Sequence, residues 1–205
     1  MHESFLKDRM RYYIDLGSYV GDTLKKAIDM FSPNIDLYIG FEPVPLFFKK
    51  LKQRFIHNNK VKIYRKAVDI ETGIQKLYLG YNFPKRKGGI TKGSTLISGK
   101  RTANISKKIY IEVKTIDFSK YVLDNFNKDD YIVLKIDIEG KEYDVLEKMI
   151  EDGSINYIDK IYCEWHFYKI KTVTERRHNN IISKLNSLDF NILGTAHGDE
   201  FSRIE

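Results

Sequence analysis

Ile14-Asp-Leu-Gly-Ser-Tyr-Val-Gly-Asp-Thr23 is the stretch on which the fold of this chain turns. Tyr12 to Leu16 reads as a short buried strand that stops at Gly17. From Asp22 to Phe31, apolar residues return at Leu24, Ala27, Ile28 and Phe31, the spacing of one helix face. A strand that turns through Gly-x-x-x-Gly into a helix is the first half of a β-α-β unit. Gly17 lets the backbone turn sharply and approach a ligand, and Gly21 permits close helix–strand packing.

The pattern repeats on both sides of a break. Ser32-Pro33-Asn34 ends the first helix, Leu37 to Phe41 is a second strand, and a helix is expected from Pro43 to about Ile56. Val61 to Val68 alternates as a third strand. This β-α-β-α-β order predicts a parallel sheet with crossover helices. Further on, the spacing predicts helices over Phe118–Phe126, Glu139–Ile150 and Thr174–Leu188, with strands over Tyr131–Ile136 and Ile158–Cys163. Phe190 to Leu193 and Phe201 to Ile204 read as a closing hairpin. In the middle, Gln75–Leu79 and Lys108–Val113 are strand-like and flank a stretch rich in Gly, Lys, Ser and Thr. That stretch reads as a long, solvated and mobile flap.

The 205 residues suit one domain, 1–205, with a flap insertion at about 72–111. Its net charge of +7 is unevenly placed. Thr72 to Ile111 holds nine basic residues and no acidic one, which leaves 26 basic against 28 acidic residues elsewhere, a net of −2. The chain is a near-neutral domain with one basic segment. A single cysteine, Cys163, fits a reducing compartment. The charged N-terminus is not a signal peptide, and no apolar run approaches the roughly 18 residues of a membrane span. A cytoplasmic location is expected, that of a host cell if the chain is viral.

Three further clusters carry chemistry. Gly40-Phe-Glu-Pro43 closes the second strand, with Glu42 lying 25 positions after Gly17. An acidic residue at about that distance accepts hydrogen bonds from ribose hydroxyls. The dinucleotide fingerprint wants a second glycine where this chain has Tyr19, which disfavours a pyrophosphate and hence NAD. Asp15 repels phosphate and attracts an ammonium group. Asp15, Gly17, Gly21 and Glu42 together describe a pocket for an adenosine with a cationic amino-acid tail, which is S-adenosylmethionine (SAM).

In Leu134-Lys-Ile-Asp-Ile-Glu-Gly-Lys-Glu142, residues Lys135, Asp137 and Glu139 alternate and share a face at a strand end. They suit holding an ammonium group, taking a proton from a substrate hydroxyl, or forming a hydrated strand end with a helix cap. Cys163-Glu-Trp-His166 sets Glu164 and His166 on one face. Three readings stay open for it. His166 is a general base, or Asp137, Glu164 and His166 ligate a divalent cation, or His166 is structural and hydrogen-bonds to Glu164. His57, His178 and His197 have no comparable context and read as surface residues.

These motifs, with Lys66-Ala-Val-Asp69, Ser94-Thr-Leu96 and Val113-Lys-Thr-Ile-Asp117, occur in the order seen in FkbM-type methyltransferases, which the chain resembles from about Tyr12 to His166. The resemblance implies a class I, Rossmann-like three-layer α/β sandwich: a seven-stranded, mostly parallel sheet with an antiparallel last strand. It implies a SAM-dependent O-methyltransferase acting on a sugar or glycan hydroxyl and releasing S-adenosylhomocysteine. Asp15, Gly17, Gly21 and Glu42 would bind SAM, with Ala67, Val68 and Asp69 near the adenine. Ser18, Tyr19, Asp22, Thr23, Pro43 and Asp137 complete the expected cofactor site, and His166, Asp137, Glu164 and Lys135 the catalytic set. The unit also resembles the methyltransferase module of larger glycan-building enzymes.

Alternatives are an RNA or cap 2′-O-methyltransferase and a SAM-binding interaction module without catalysis. Nucleic acid is disfavoured as a partner, because the lysines are scattered through a Gly-rich loop rather than aligned on a helix face. They are better suited to an anionic part of the acceptor. Gly93-Ser-Thr-Leu-Ile-Ser-Gly99-Lys100-Arg101 mimics a phosphate-binding loop but has five residues between its glycines, and Arg101 stands where Ser or Thr is needed.

Overall fold

The computed structural model describes residues 9–81, 89–101, 105–190 and 193–194. Six parallel strands form the main sheet: β1 (Arg11–Leu16), β2 (Leu37–Phe41), β3 (Val61–Tyr64), β8 (Tyr131–Ile136), β9 (Lys160–Cys163) and β10 (Leu193–Gly194). Four others, β4 (Ala67–Asp69), β5 (Gly73–Tyr81), β6 (Ile90–Thr95) and β7 (Tyr110–Asp117), form a second, mixed sheet. The helices are α1 (Asp22–Phe31), α2 (Pro45–Arg54), α3 (Phe118–Asn125), α4 (Glu142–Glu151) and α5 (Glu175–Asn186).

The main sheet runs β10-β9-β8-β1-β2-β3. The chain winds outward from β1 to β3, then restarts beside β1 at β8 and winds the other way. Such a reversal opens a crevice at the carboxyl ends of β1 and β8, where ligands bind in sheets of this kind. Both faces are covered, as parallel strands require. Successive side chains alternate between them. Tyr13, Tyr38 and Val133 pack with Leu24 and Ala27 of α1 and Leu51 of α2. Ile14, Leu16, Ile132 and Leu134 pack with Phe118 and Val122 of α3, Leu146 and Met149 of α4, and Ile181 and Leu185 of α5. The three layers of the expected sandwich are present.

Four expectations are corrected. The main sheet has six strands among the described residues rather than seven. Val61–Val68 is divided between the two sheets. Tyr64 ends β3 at the sheet edge, and Ala67–Asp69 leaves to pair with Thr115–Asp117 of β7. β10 pairs parallel to β9, Leu193 opposite Tyr162. The expected hairpin partner, 201–204, lies outside the described residues. Helix α2 begins at Pro45, not Pro43. Val44 precedes a proline, which disfavours helical backbone, and it is extended at φ −74°, ψ 119°. Helix α4 begins at Glu142, not Glu139, because Glu139 and Gly140 lie at φ 56° and 119°, outside helical space.

The described part of the basic segment is paired and anchored rather than a solvated flap. Ile90–Thr95 pairs antiparallel with β5, and Lys100, buried, forms an ion pair with Glu139 and donates to the Gly93 carbonyl at 3.0 Å. The Thr95 hydroxyl donates to the Glu139 carbonyl at 2.8 Å. These bonds fasten the segment to the turn after β8. Lys85, Arg86 and Lys87 lie outside the described residues.

Candidate active site

The loops that follow β1, β2, β3, β8 and β9 surround a cavity of about 270 Å³, with the second sheet on its far side. The turn after β1 comes first. Gly17 sits at φ 83°, and its N–H and that of Ser18 both donate to the Phe41 carbonyl, at 3.1 and 2.9 Å. A Cβ on Gly17 would stand 1.9 Å from the Asp137 carbonyl oxygen. The glycine is therefore demanded by the approach of two strand ends. Gly21, at φ 89°, has no room for a Cβ against Leu51 and Phe55, so its close contact is with α2 and the residue after it rather than with a strand. Tyr19, in place of the second glycine, adopts the left-handed conformation at φ 51° and packs its ring edge-on to Phe47 at 4.5 Å.

Glu42 lines the cavity, 5% exposed. One carboxylate oxygen accepts from the Tyr19 N–H at 2.9 Å and the other from the Val44 N–H at 2.7 Å. It thus ties the β1 and β2 loops together. Burial pushes its pKa up to about 8, against the opposing pull of those two hydrogen bonds. The folded state therefore favours the protonated form. The resulting stability is complete below the ordinary carboxyl value of 4.5 and is lost as pH rises through about 8. Glu42→Gln is expected to flatten the decline in stability between these values. Denaturant unfolding of both proteins at pH 5, 7 and 9 checks this, and parallel pH profiles would refute it.

Asp15 lies behind the wall rather than on it. It is fully buried and forms an ion pair with Lys135 at 3.1 Å. Burial raises its pKa, while Lys135 pulls the other way. Lys135 also stands 3.5 Å from Asp137. Asp137, 27% exposed at its side chain, reaches the cavity, so of these two carboxylates it is the one open to a ligand's ammonium group.

Four carboxylates converge on the buried imidazole of His166. Its Nδ1 lies 2.9 Å from Glu142, and its Nε2 lies 3.3 Å from Glu164, 3.4 Å from Glu139 and 3.8 Å from Asp137. Burial alone would lower the His166 pKa, but Glu142 and Glu164 outweigh it and raise it to about 10. His166, 3.3 Å away, in turn holds Glu164 down to about 2. His166 is 0% exposed and is not among the residues that line the cavity, so it does not itself face an acceptor hydroxyl there. Asp137, Glu139 and Glu164 are the carboxylates of this cluster that line the cavity.

Of the other expected cofactor residues, Pro43, Ala67 and Val68 line the cavity with Gly17, Tyr19, Glu42 and Asp137. Ser18 is buried and donates to the Asp15 carbonyl, Asp22 is exposed and pairs with Arg54, and Thr23 is half-buried in α1. Asp69 is buried away from the cavity and bound to Lys141 and Gln75. Glu142 and Lys100 were missed. Glu142 is fully buried and accepts from the Ile138 and Gly140 N–H groups as well as from His166. Its place three residues after the strand-end acid was the available signal. Nothing local marked Lys100, whose partner is 39 positions away. His178 is no bare surface residue. It stacks on Phe167 at 4.5 Å and shares a hydrogen bond with the Tyr143 hydroxyl.

No curated protein is significantly similar to the chain. Methyltransferase FkbM from Methylobacillus flagellatus KT, a crystal structure, is similar at a TM-score of 0.49 and 14% identity; the match covers 85% of this chain and 37% of that one. The chain thus matches little more than a third of that protein's length. The model of the methyltransferase FkbM domain matches residues 15–192, from the buried aspartate of β1 to the residue before β10, and the chain belongs to that family.

Proposed function

We propose that the chain is a SAM-dependent O-methyltransferase whose acceptor is a hydroxyl-bearing sugar or glycan with an anionic group. The observation that carries this reading is the cavity lining, which combines two chemically different sets of residues. One set comprises Gly17, Glu42 and the apolar side chains of Phe47, Val68, Leu77 and Leu96. Glu42 suits ribose hydroxyls, and the apolar walls suit an adenine ring. The other set comprises the carboxylates Asp137, Glu139 and Glu164 and the lysines Lys66, Lys92 and Lys169. Lys66 and Lys92 come from opposite edges of the second sheet, from the link into β4 and from β6. Lys66 and Lys92 on the cavity wall suit an anionic group on the acceptor.

Bound SAM would supply a methyl group already activated on a sulfonium. The protein's share is then mainly positioning. Asp137 would hold the ammonium group, and a carboxylate of the Asp137–Glu164 face would receive the acceptor's proton. No helix among the described residues is long and apolar enough to cross a membrane.

Labelled SAM is to be incubated with neutral sugars, anionic sugars, glycolipids and RNA. Transfer to anionic sugars is expected. Lys66→Met and Lys92→Met should each raise KM for the charged acceptor about tenfold, equivalent to about 1.4 kcal/mol. Affinity for S-adenosylhomocysteine should be unchanged. Loss of that affinity would instead place the lysines on the cofactor's carboxylate. Transfer to RNA with steeply salt-dependent binding would support the cap or RNA reading.

A further inference from the structure

The His166 cluster has a second feature, independent of its acidity. Nε2 is buried and meets no acceptor in hydrogen-bonding geometry. It faces the carboxylates of Asp137, Glu139 and Glu164 at 3.3–3.8 Å. Nδ1 is engaged on the opposite side of the ring by Glu142, itself held by two backbone N–H groups. A carboxylate on one imidazole nitrogen fixes the ring and leaves the other nitrogen's lone pair directed outward. Metal-ligating histidines are held this way. Ligand atoms from Asp137, Glu139 and His166 lie within 4.8 Å of one another, so a single ion can touch all three.

Charge points the same way. Five carboxylates crowd this corner: Asp15, Asp137, Glu139, Glu142 and Glu164. Three lysines oppose them: Lys135 beside Asp15 and Asp137, Lys100 beside Glu139, and Lys169 at 3.9 Å from Glu164. With a neutral imidazole the corner lacks two positive charges. One proton on His166 supplies half of that deficit, and a divalent ion supplies all of it. Asp137, Glu139 and Glu164 also line the cavity, so an ion has a route in.

We propose that Asp137, Glu139 and His166 Nε2 bind one divalent transition-metal ion of the Mn2+ type. Glu164 stands close enough to join them, and Glu142 acts as the positioning residue behind the imidazole. One imidazole with several carboxylates suits manganese or iron better than the sulfur-preferring metals. At the cavity wall the ion would bind the acceptor hydroxyl and make it more acidic. That use rests on the methyl-transfer reading, whereas the site itself does not.

The probe is Mn2+ alone, titrated into the full chain and followed by electron paramagnetic resonance. One ion per chain is expected, with nitrogen coupling from an imidazole in pulsed spectra. Asp137→Asn and Glu139→Gln should each weaken binding at least about tenfold. Glu142→Gln should weaken it about 10–100-fold with the nitrogen coupling retained. His166→Gln should abolish the coupling. Should that variant fail to fold, the coupling in the unaltered protein and the Glu139→Gln affinity decide alone. No saturable binding, no nitrogen coupling, or affinity indifferent to Asp137→Asn and Glu139→Gln would overturn the site. S-adenosylhomocysteine binding is measured on the same samples without Mn2+. Its presence without Mn2+ binding sinks only the metal site, and its absence beside bound Mn2+ sinks only the methyltransferase reading.

Discussion

Gly17→Ala is expected to abolish useful cofactor binding and to destabilise the protein. At φ 83° an alanine is strained by about 1–2 kcal/mol before any contact is counted. Its Cβ would then meet the Asp137 carbonyl oxygen at 1.9 Å, a separation no side-chain rotation relieves because both partners are fixed to backbone. The ends of β1 and β8 must move apart, and these ends form the crevice. A fall in melting temperature of at least about 4 °C follows from 2 kcal/mol in a chain of this size. S-adenosylhomocysteine affinity should drop at least about tenfold, measured calorimetrically at a temperature where the variant remains folded. A folded variant that keeps the original affinity would show that the turn does not touch the ligand.

Lys135→Met is the second large effect. The lysine is buried at the end of β8 and serves Asp15 at 3.1 Å, Asp137 at 3.5 Å and the Gly17 carbonyl at 3.5 Å. Methionine keeps the length of the side chain and removes its charge. Asp15, fully buried, is then left without its counter-charge. Breaking a buried pair from one side costs about 3–5 kcal/mol, more than replacing both partners together. Equilibrium unfolding should show that loss in Lys135→Met and a smaller one in Asp15→Asn/Lys135→Met. If the double variant is the less stable of the two, Asp15 is not the group the lysine compensates.

This pair shows how far local sequence goes. Asp15 and Lys135 could each be placed at a strand end from the apolar runs before them. Their partnership could not, because it depends on β1 and β8 lying side by side with Asp15 opposite Lys135, 120 positions on. The sequence made Asp15 an ammonium ligand, and the pairing assigns that carboxylate to Lys135 and leaves Asp137 facing the cavity. Glu42 was more legible. Its spacing from the glycine turn is a property of a single β-α-β unit, and the structure sets it on the cavity beside Tyr19.

The basic segment was the least legible part of the fold. Gly93, Ser94 and Thr95 carry little hydrophobic signal, yet Thr91 and Thr95 pair with Gly80 and Tyr78 of β5. That strand is held by its pairing with β5, by Ile90 packed on the cluster of Leu77 and Leu79, and by Lys100 on the Gly93 carbonyl.

The sequence alone determined the alternation of strands and helices, the family, and the glycine turn, because each rests on short motifs and spacings that can be read one segment at a time. Tertiary structure alone decided which carboxylates face the cavity, that His166 is buried among four carboxylates, and that β4 departs for a second sheet. Those outcomes depend on burial and on contacts between strand ends far apart in the chain. A buried charge takes its state from the neighbours the fold supplies.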